Sequence, residues 1–515
     1  MSRQTVLMFA SVVIVAASLV YLNFKPKSSV SRSPNETSIT NPLVLFCAAS
    51  NRAVMEEIRQ SYEKECGHAV QIQYGASQTL LSSLEVSGTG DLYLPADDSF
   101  IQLGKSKGLL EETLPLATMR GVIAVPRGNP KGIQRFEDLL QSKLRLVQAS
   151  PDATAIGKRT REVLRPTGAW DQIEKHTVAF RTTVNDVAND LKIGAADAGI
   201  VYDAVLHAYP ELEAVSLKEM EPIQSNVSIA VTRSCKQPQR ALHFARYVAA
   251  RDRGLQEYGK QGFAIVTGDR WNDEPEISVF AGSMLRPAIE ETLKDFEKRE
   301  GVKISRVYNG CGILVAQMKA GQHPDAYFAC DREFMSQVPD LFPKPVDVSM
   351  NELVILVQKG NPLGIQNLRD LTRKGLRVGI GHEKQCAMGW ITQNTIREAG
   401  IQSEVMANVT VQTPTGDMLV NQLRAGSLDA AVVYISNAAG AADHLDALRI
   451  QGLACSVAVQ PFAIAEDSQY PQLTNRLFQR LCSAESEETF TAEGFQWKLN
   501  LSKDASTEAS HGQDR

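Results

Sequence analysis

Two places in the first half of this chain pair a small hydroxyl residue with a strand-to-helix junction. Phe46-Cys47-Ala48-Ala49-Ser50 runs from an apolar stretch into a helical one, and Gly75-Ala76-Ser77 does the same after VQIQY. A helix start presents backbone N–H groups that have no intrahelical partner, together with a partial positive charge. Such a junction, with a hydroxyl added, can hold an oxyanion without a metal or a salt bridge. Each junction also has an ordinary structural reading: Ser50 as an N-cap, Gly75-Ala76-Ser77 as a turn. The same junctions return in the second half, as Phe280-Ala281-Gly282-Ser283 and Gly310-Cys311-Gly312.

That return is general. Tyr62-Glu63-Lys64-Glu65-Cys66-Gly67 aligns with Phe296-Glu297-Lys298-Arg299-Glu300-Gly301, and Arg127-Gly128-Asn129-Pro130 with Lys359-Gly360-Asn361-Pro362. Ala198-Gly199-Ile200-Val201-Tyr202 aligns with Ala430-Ala431-Val432-Val433-Tyr434. The offset drifts only from 234 (Tyr62 to Phe296) to 232 (Tyr202 to Tyr434). Solenoid units repeat every ~20–50 residues, so this is a whole globular module duplicated, and each copy must carry its own core and site.

The elements that position the junctions follow from pattern. Val54, Ile58 and Tyr62, and Ile289, Leu293 and Phe296 in the second copy, mark one apolar helix face. Short apolar strands alternate with such helices, which predicts α/β modules with a mainly parallel sheet. After Gly121-Val122-Ile123-Ala124-Val125-Pro126 a fresh strand–helix series begins and runs to Tyr202, and Asn226–Val231 then returns to the first series, so a second lobe is inserted into the first. In the second copy Ala454–Val459 makes the return. Asp97 and Asp331 are expected to cap the helices that follow them, Arg52 and Arg181 to be solvent-facing, and the Gly-Asn-Pro turns to punctuate the chain near the lobe hinge. The expected boundaries are a first module over 42–270 and a second over 275–500.

At 515 residues the chain has room for three or four folding units of about 100–200 residues. A net charge of −5 gives no basic footprint for nucleic acid. The uncharged run over residues 6–22 makes residues 1–24 a signal peptide or a membrane anchor. The Ser-rich stretch over 25–41 reads as a flexible linker and residues 501–515 as a disordered tail. Eight cysteines in so long a chain are no disulfide scaffold. The eight histidines recur at no equivalent positions in the two copies and no nucleophile–base constellation is legible, so an enzyme is not expected, nor is a cofactor.

Taken together in order and spacing, FCAAS, YGAS, DLYLPAD, VPRGNP, GAW and ADAGIVY resemble the periplasmic molybdate-binding proteins, the oxyanion-binding branch of ABC-transporter substrate-binding proteins, over nearly the whole first copy. The resemblance implies two tandem type II periplasmic-binding-protein modules, each of two α/β lobes joined by a hinge with ligand between them. It implies a site of two Ser hydroxyls, two backbone N–H groups and a Tyr hydroxyl. In the first module these are Ser50, Ser77, the backbone at Ile156 and Val184, and Tyr202. In the second they are Ser283, Cys311, Met388, Gly416 and Tyr434, with a cysteine where the family pattern has its second serine. The expected function is extracytoplasmic capture of molybdate or tungstate, with an ABC-transporter permease as partner and possible inner-membrane anchoring through the N-terminal segment. A sensor or signalling receptor is the alternative. The second-copy cysteines open a further one: Cys311, Cys330, Cys386 and His382 as a soft-metal site, with apolar packing or a Cys311–Cys330 disulfide as the structural readings.

Overall fold

The computed structural model describes residues 41–499. The expected signal or anchor, tether and tail lie outside those residues, apart from residue 41. Among the described residues no helix is long and apolar enough to cross a membrane.

The first module contains strands β1 (Leu43–Ala48), β2 (Val70–Gly75), β3 (Leu92–Leu94), β4 (Leu110–Pro126), β5 (Leu146–Ala149), β6 (Thr177–Arg181), β7 (Ala198–Tyr202), β8 (Leu212–Val215) and β9 (Gln224–Thr232). Their hydrogen-bonded order is β2-β1-β3-β9-β4-β7-β5-β6. Strands β2, β1 and β3 are parallel, as are β6, β5 and β7, but β9 runs antiparallel to β3 and β4 antiparallel to both β9 and β7. The expectation of a mainly parallel sheet is therefore corrected to a mixed one. The reason is the lobe insertion: β4 leaves lobe one and β9 re-enters it, and these opposite passages lie side by side. Strand β4 joins the lobes by pairing with β9 over Leu110–Arg120 and with β7 over Gly121–Ala124. The Gly-Asn-Pro turns lie past the far end of this strand in lobe two, not at the crossing. There Asn129 and Asn361 adopt left-handed φ of 44° and 46°, each tied through its side chain to the backbone of Ile133 or Ile365.

The second module repeats the order strand for strand, and each copy has a core of its own. The helix Arg52–Cys66 buries Val54, Met55, Ile58 and Tyr62, and Arg286–Glu300 buries Ala288, Ile289, Leu293 and Phe296. Both end where Gly67 or Gly301 takes the left-handed conformation (φ 71° and 67°), which glycine, having no Cβ, adopts without strain.

The modules are packed against each other, not joined by the linker alone. Glu300 of the second module is buried and accepts from Arg476 of its own module (2.7 and 3.0 Å) and from Arg246 of the first (3.3 Å). Burial would raise its carboxyl, but Arg476 and then Arg246 outweigh that and hold it below the usual range. Beside it Asp269 accepts the backbone N–H groups of Gln472 and Leu473 at the start of helix Pro471–Leu481.

Candidate functional site

Four helical starts meet between the lobes of the first module. The cavity they leave has a volume of about 20 Å³ and is lined by Ser50, Ser77, Ile156, Val184 and Tyr202. Drug-sized ligands occupy ~300–1,000 Å³, so the space suits a small ion. Ser50 is not an N-cap: it lies inside a 3-10 turn, Ala49–Asn51, and Asn51 takes the N-cap position of the following helix. Ser77 is the first residue of helix Ser77–Ser87, whose N-cap, Ala76, provides no side-chain acceptor.

The hydroxyl oxygens are held in place. The amide of Asn51 donates to Ser50 Oγ (3.3 Å), and the N–H of Ala96 donates to Ser77 Oγ (3.1 Å). A serine hydroxyl has one proton and two lone pairs, so each oxygen accepts one of these bonds and still has its proton to give to a ligand in the cleft. Asn51 is held in turn by Tyr258, whose hydroxyl donates to its Oδ1 at 3.2 Å. From lobe two, Thr154 caps helix Ala155–Leu164 by accepting from Gly157 N, and Thr183 caps helix Val184–Lys192 by accepting from Asp186 N. These caps satisfy third-position N–H groups and leave those of Ile156 and Val184, in the same first turns, at the cavity. Gly157 allows this approach, because a Cβ there would lie 2.5 Å from the carbonyls of Ala149 and Ser150.

Tyr202 is 1% exposed, and its hydroxyl lies 2.7 Å from Ser225 Oγ. Burial pushes its ionisation far above the ordinary phenol range, so it acts only as a neutral hydroxyl. Among the described residues no carboxylate lines the cavity. Asp97 and Asp331 cap their helices as expected, accepting from Ser99 N and Glu333 N. Arg181 pairs with Asp190, and Arg52 lies over the Tyr74 ring at 4.4 Å. Neither arginine lines the cavity. The lobes are closed on each other, with Gln78 N of lobe one donating to Ala153 O of lobe two at 3.1 Å.

The second module closes through the matching bond, Gly312 N to Gln385 O at 3.0 Å, around a cavity of the same size, about 20 Å³, that Ser283, Met388, Gly416 and Tyr434 line. Its chemistry differs. Cys311, in the place of Ser77, is disulfide-bonded to Cys330, in the place of Ala96. Cys311 Sγ still accepts the Cys330 N–H (3.0 Å), as Ser77 accepts that of Ala96, but it has no proton to offer. Gly282, where the first copy has Ala48, makes the room, since a Cβ there would collide with Cys330 Sγ. Ser225 is replaced by Ala458, which faces Asn351 as Ser225 faces Met119. The Tyr434 hydroxyl is consequently buried without a partner. Gly416 and Asn437 replace Val184 and Val205, and a Cβ at Gly416 would collide with the Asn437 amide.

The soft-metal set does not form. Cys311 and Cys330 are bonded to each other, and His382 Nδ1 accepts from Lys384 N within its own loop. Cys386 is a buried thiol that burial pushes up to about 11. Asn51, Thr154, Thr183 and Ser225 are contributors that the sequence reading missed. Only Thr183 carried a signal, the Thr-x-x-Asp spacing to Asp186 that reads as a capping box.

Comparison with known proteins agrees with this architecture. The bacterial extracellular solute-binding protein family matches over residues 43–264 and again over 277–496. The molybdate-binding protein ModA of Mycobacterium tuberculosis is 26% identical over 223 residues, 42% of this chain and 84% of that protein. The putative ABC transporter substrate-binding lipoprotein YvgL of Bacillus subtilis is 24% identical over 257 residues, 49% of this chain and 97% of the relative. Among solved structures, the periplasmic molybdate-binding protein of Azotobacter vinelandii aligns with 44% of this chain and 100% of its own, at 17% identity and a TM-score of 0.38. With a two-lobed module present in both halves and the family matching each half separately, the chain belongs to the bacterial extracellular solute-binding proteins and carries their module twice.

Proposed function

We propose that the first module captures a tetrahedral oxyanion, molybdate or tungstate, outside the cytoplasm and delivers it to an ABC-transporter permease. The observation that carries this reading is the gathering of donors at one cavity. Ser50 and Ser77 each accept one N–H and keep a proton to donate, beside first-turn helix N–H groups, at a small cavity that among the described residues no carboxylate lines. Such a site stabilises a dianion with fixed dipoles and needs no counter-cation. The ModA relatives, named for molybdate, support the choice of ion. Ligand bridging the lobes favours the closed form through its differential affinity for that form.

In the second module the anion site is weakened, because the disulfide removes one proton donor and the tyrosine hydroxyl lacks its orienting partner. The oxidised protein therefore takes up one tetrahedral dianion per chain. Calorimetric titration of the full chain with molybdate in metal-free buffer tests this directly. One site is expected, and ligand at one hundred times its Kd should add about 2.7 kcal/mol of stability. No heat of binding and an unchanged melting curve in millimolar molybdate, tungstate, sulfate and phosphate would refute the proposal.

A further inference from the structure

Outside both clefts, Cys66, His243 and Asp273 come together at the junction between the first module and its linker. Their ligand atoms, one from each residue, all lie within 4.8 Å of one another. Cys66 is the last residue of helix Arg52–Cys66, His243 lies in helix Pro238–Val248, and Asp273 belongs to the segment leading to the second module. They are far apart in sequence, so only the tertiary fold assembles them. The His243 ring is pinned: Nδ1 lies 2.8 Å from the Tyr62 hydroxyl, and the ring packs edge-on to Trp271 at 5.0 Å. This leaves Nε2 directed at Asp273 Oδ1, 2.8 Å away. A second imidazole, His68, stands 6.0 Å from that of His243.

We propose that Cys66, His243 and Asp273 bind a zinc ion, with His68 or water as the fourth ligand. One thiolate, one imidazole and one carboxylate suit a tetrahedral borderline cation. The thiolate argues against magnesium and calcium, and the carboxylate argues against copper(I). The two anionic ligands neutralise the ion. Tyr62 holds the other ring nitrogen, the outer-shell contact that fixes tautomer and ring orientation in histidine–metal sites. A bound ion would fasten the connecting segment to the first module. The inference is independent of the oxyanion reading.

The test uses the full chain, stripped with a chelator and titrated with cobalt(II) as a spectroscopic stand-in for zinc. One equivalent is expected, with a thiolate-to-cobalt charge-transfer band that zinc displaces. Cys66→Ser should abolish that band. Asp273→Asn changes a side chain that is 83% exposed and should leave the fold intact. It should weaken binding by more than about 100-fold, since loss of an outer-shell partner alone costs ~10–100-fold. Zinc should raise the melting temperature of the wild type and not of Asp273→Asn. The proposal is overturned if the wild type shows no band, if the band survives in Cys66→Ser, or if Asp273→Asn binds as tightly as wild type. Should Cys66→Ser fail to fold, Asp273→Asn decides alone.

Discussion

Replacing Ser77 with alanine separates the two tasks of one hydroxyl. Its oxygen accepts the Ala96 N–H at 3.1 Å, and its proton remains to be donated at the cleft that Ser77 lines. Loss of the proton removes a hydrogen bond to a charged ligand, about 1.5–3 kcal/mol, and so weakens molybdate binding about 10- to 150-fold. Loss of the oxygen leaves the Ala96 N–H without an acceptor in a buried position, which costs about 1–3 kcal/mol whether or not ligand is bound. The second cost cancels from the affinity and shows instead in ligand-free melting, at roughly 2–4 °C per kcal/mol for a module of this size. Calorimetry with molybdate and a melt without it therefore read the two effects independently. An affinity within twofold of wild type would refute the assignment of Ser77 as a ligand donor. An unchanged ligand-free melt would refute the claim that its oxygen supports the Ala96 turn.

Further outcomes follow from the same geometry. Ser225→Ala should free the Tyr202 hydroxyl from its partner, as Ala458 already does for Tyr434, and weaken molybdate binding about 2- to 10-fold in the same titration. The double change Cys311→Ser with Cys330→Ala rebuilds the Ser77–Ala96 pair in the second cleft and should raise the molybdate stoichiometry from one toward two. A value still at one would place the loss on Gly416, Asn437 and Ala458 instead. Glu300→Gln breaks the buried contact with Arg246 and Arg476 and should cost about 3–5 kcal/mol by denaturant titration at neutral pH. Because the folded carboxyl is held below its unfolded value of about 4.3, its contribution is full above that pH and is lost as pH falls through the depressed folded value. The variant should show a correspondingly flatter acid limb.

The duplication, the helix faces and the lobe insertion were legible because they are local. Val54, Ile58 and Tyr62 recur at helical spacing whatever surrounds them, and two copies of one pattern test each other. The strand-to-helix junctions at Ser50, Ser77, Ser283 and Cys311 were visible for the same reason, and the family resemblance identified their partners at Ile156, Val184 and Tyr202. Tertiary structure alone decided what each hydroxyl does, since the groups that occupy Ser77 and Tyr202 come from Ala96 and Ser225, 19 and 23 residues away. It also decided between the readings of the second-copy cysteines. Sulfur at 311 and 330 could bind a metal, pack or pair, and the choice depends on two strand-to-helix corners meeting with a glycine between them. The packing of the modules was likewise absent from any local pattern, because Arg246 and Arg476 reach Glu300 from helices 54 and 176 residues away. Periodicity along a chain encodes which face of an element is buried. Which polar atom meets which is set by how those faces stack, a property of the folded whole.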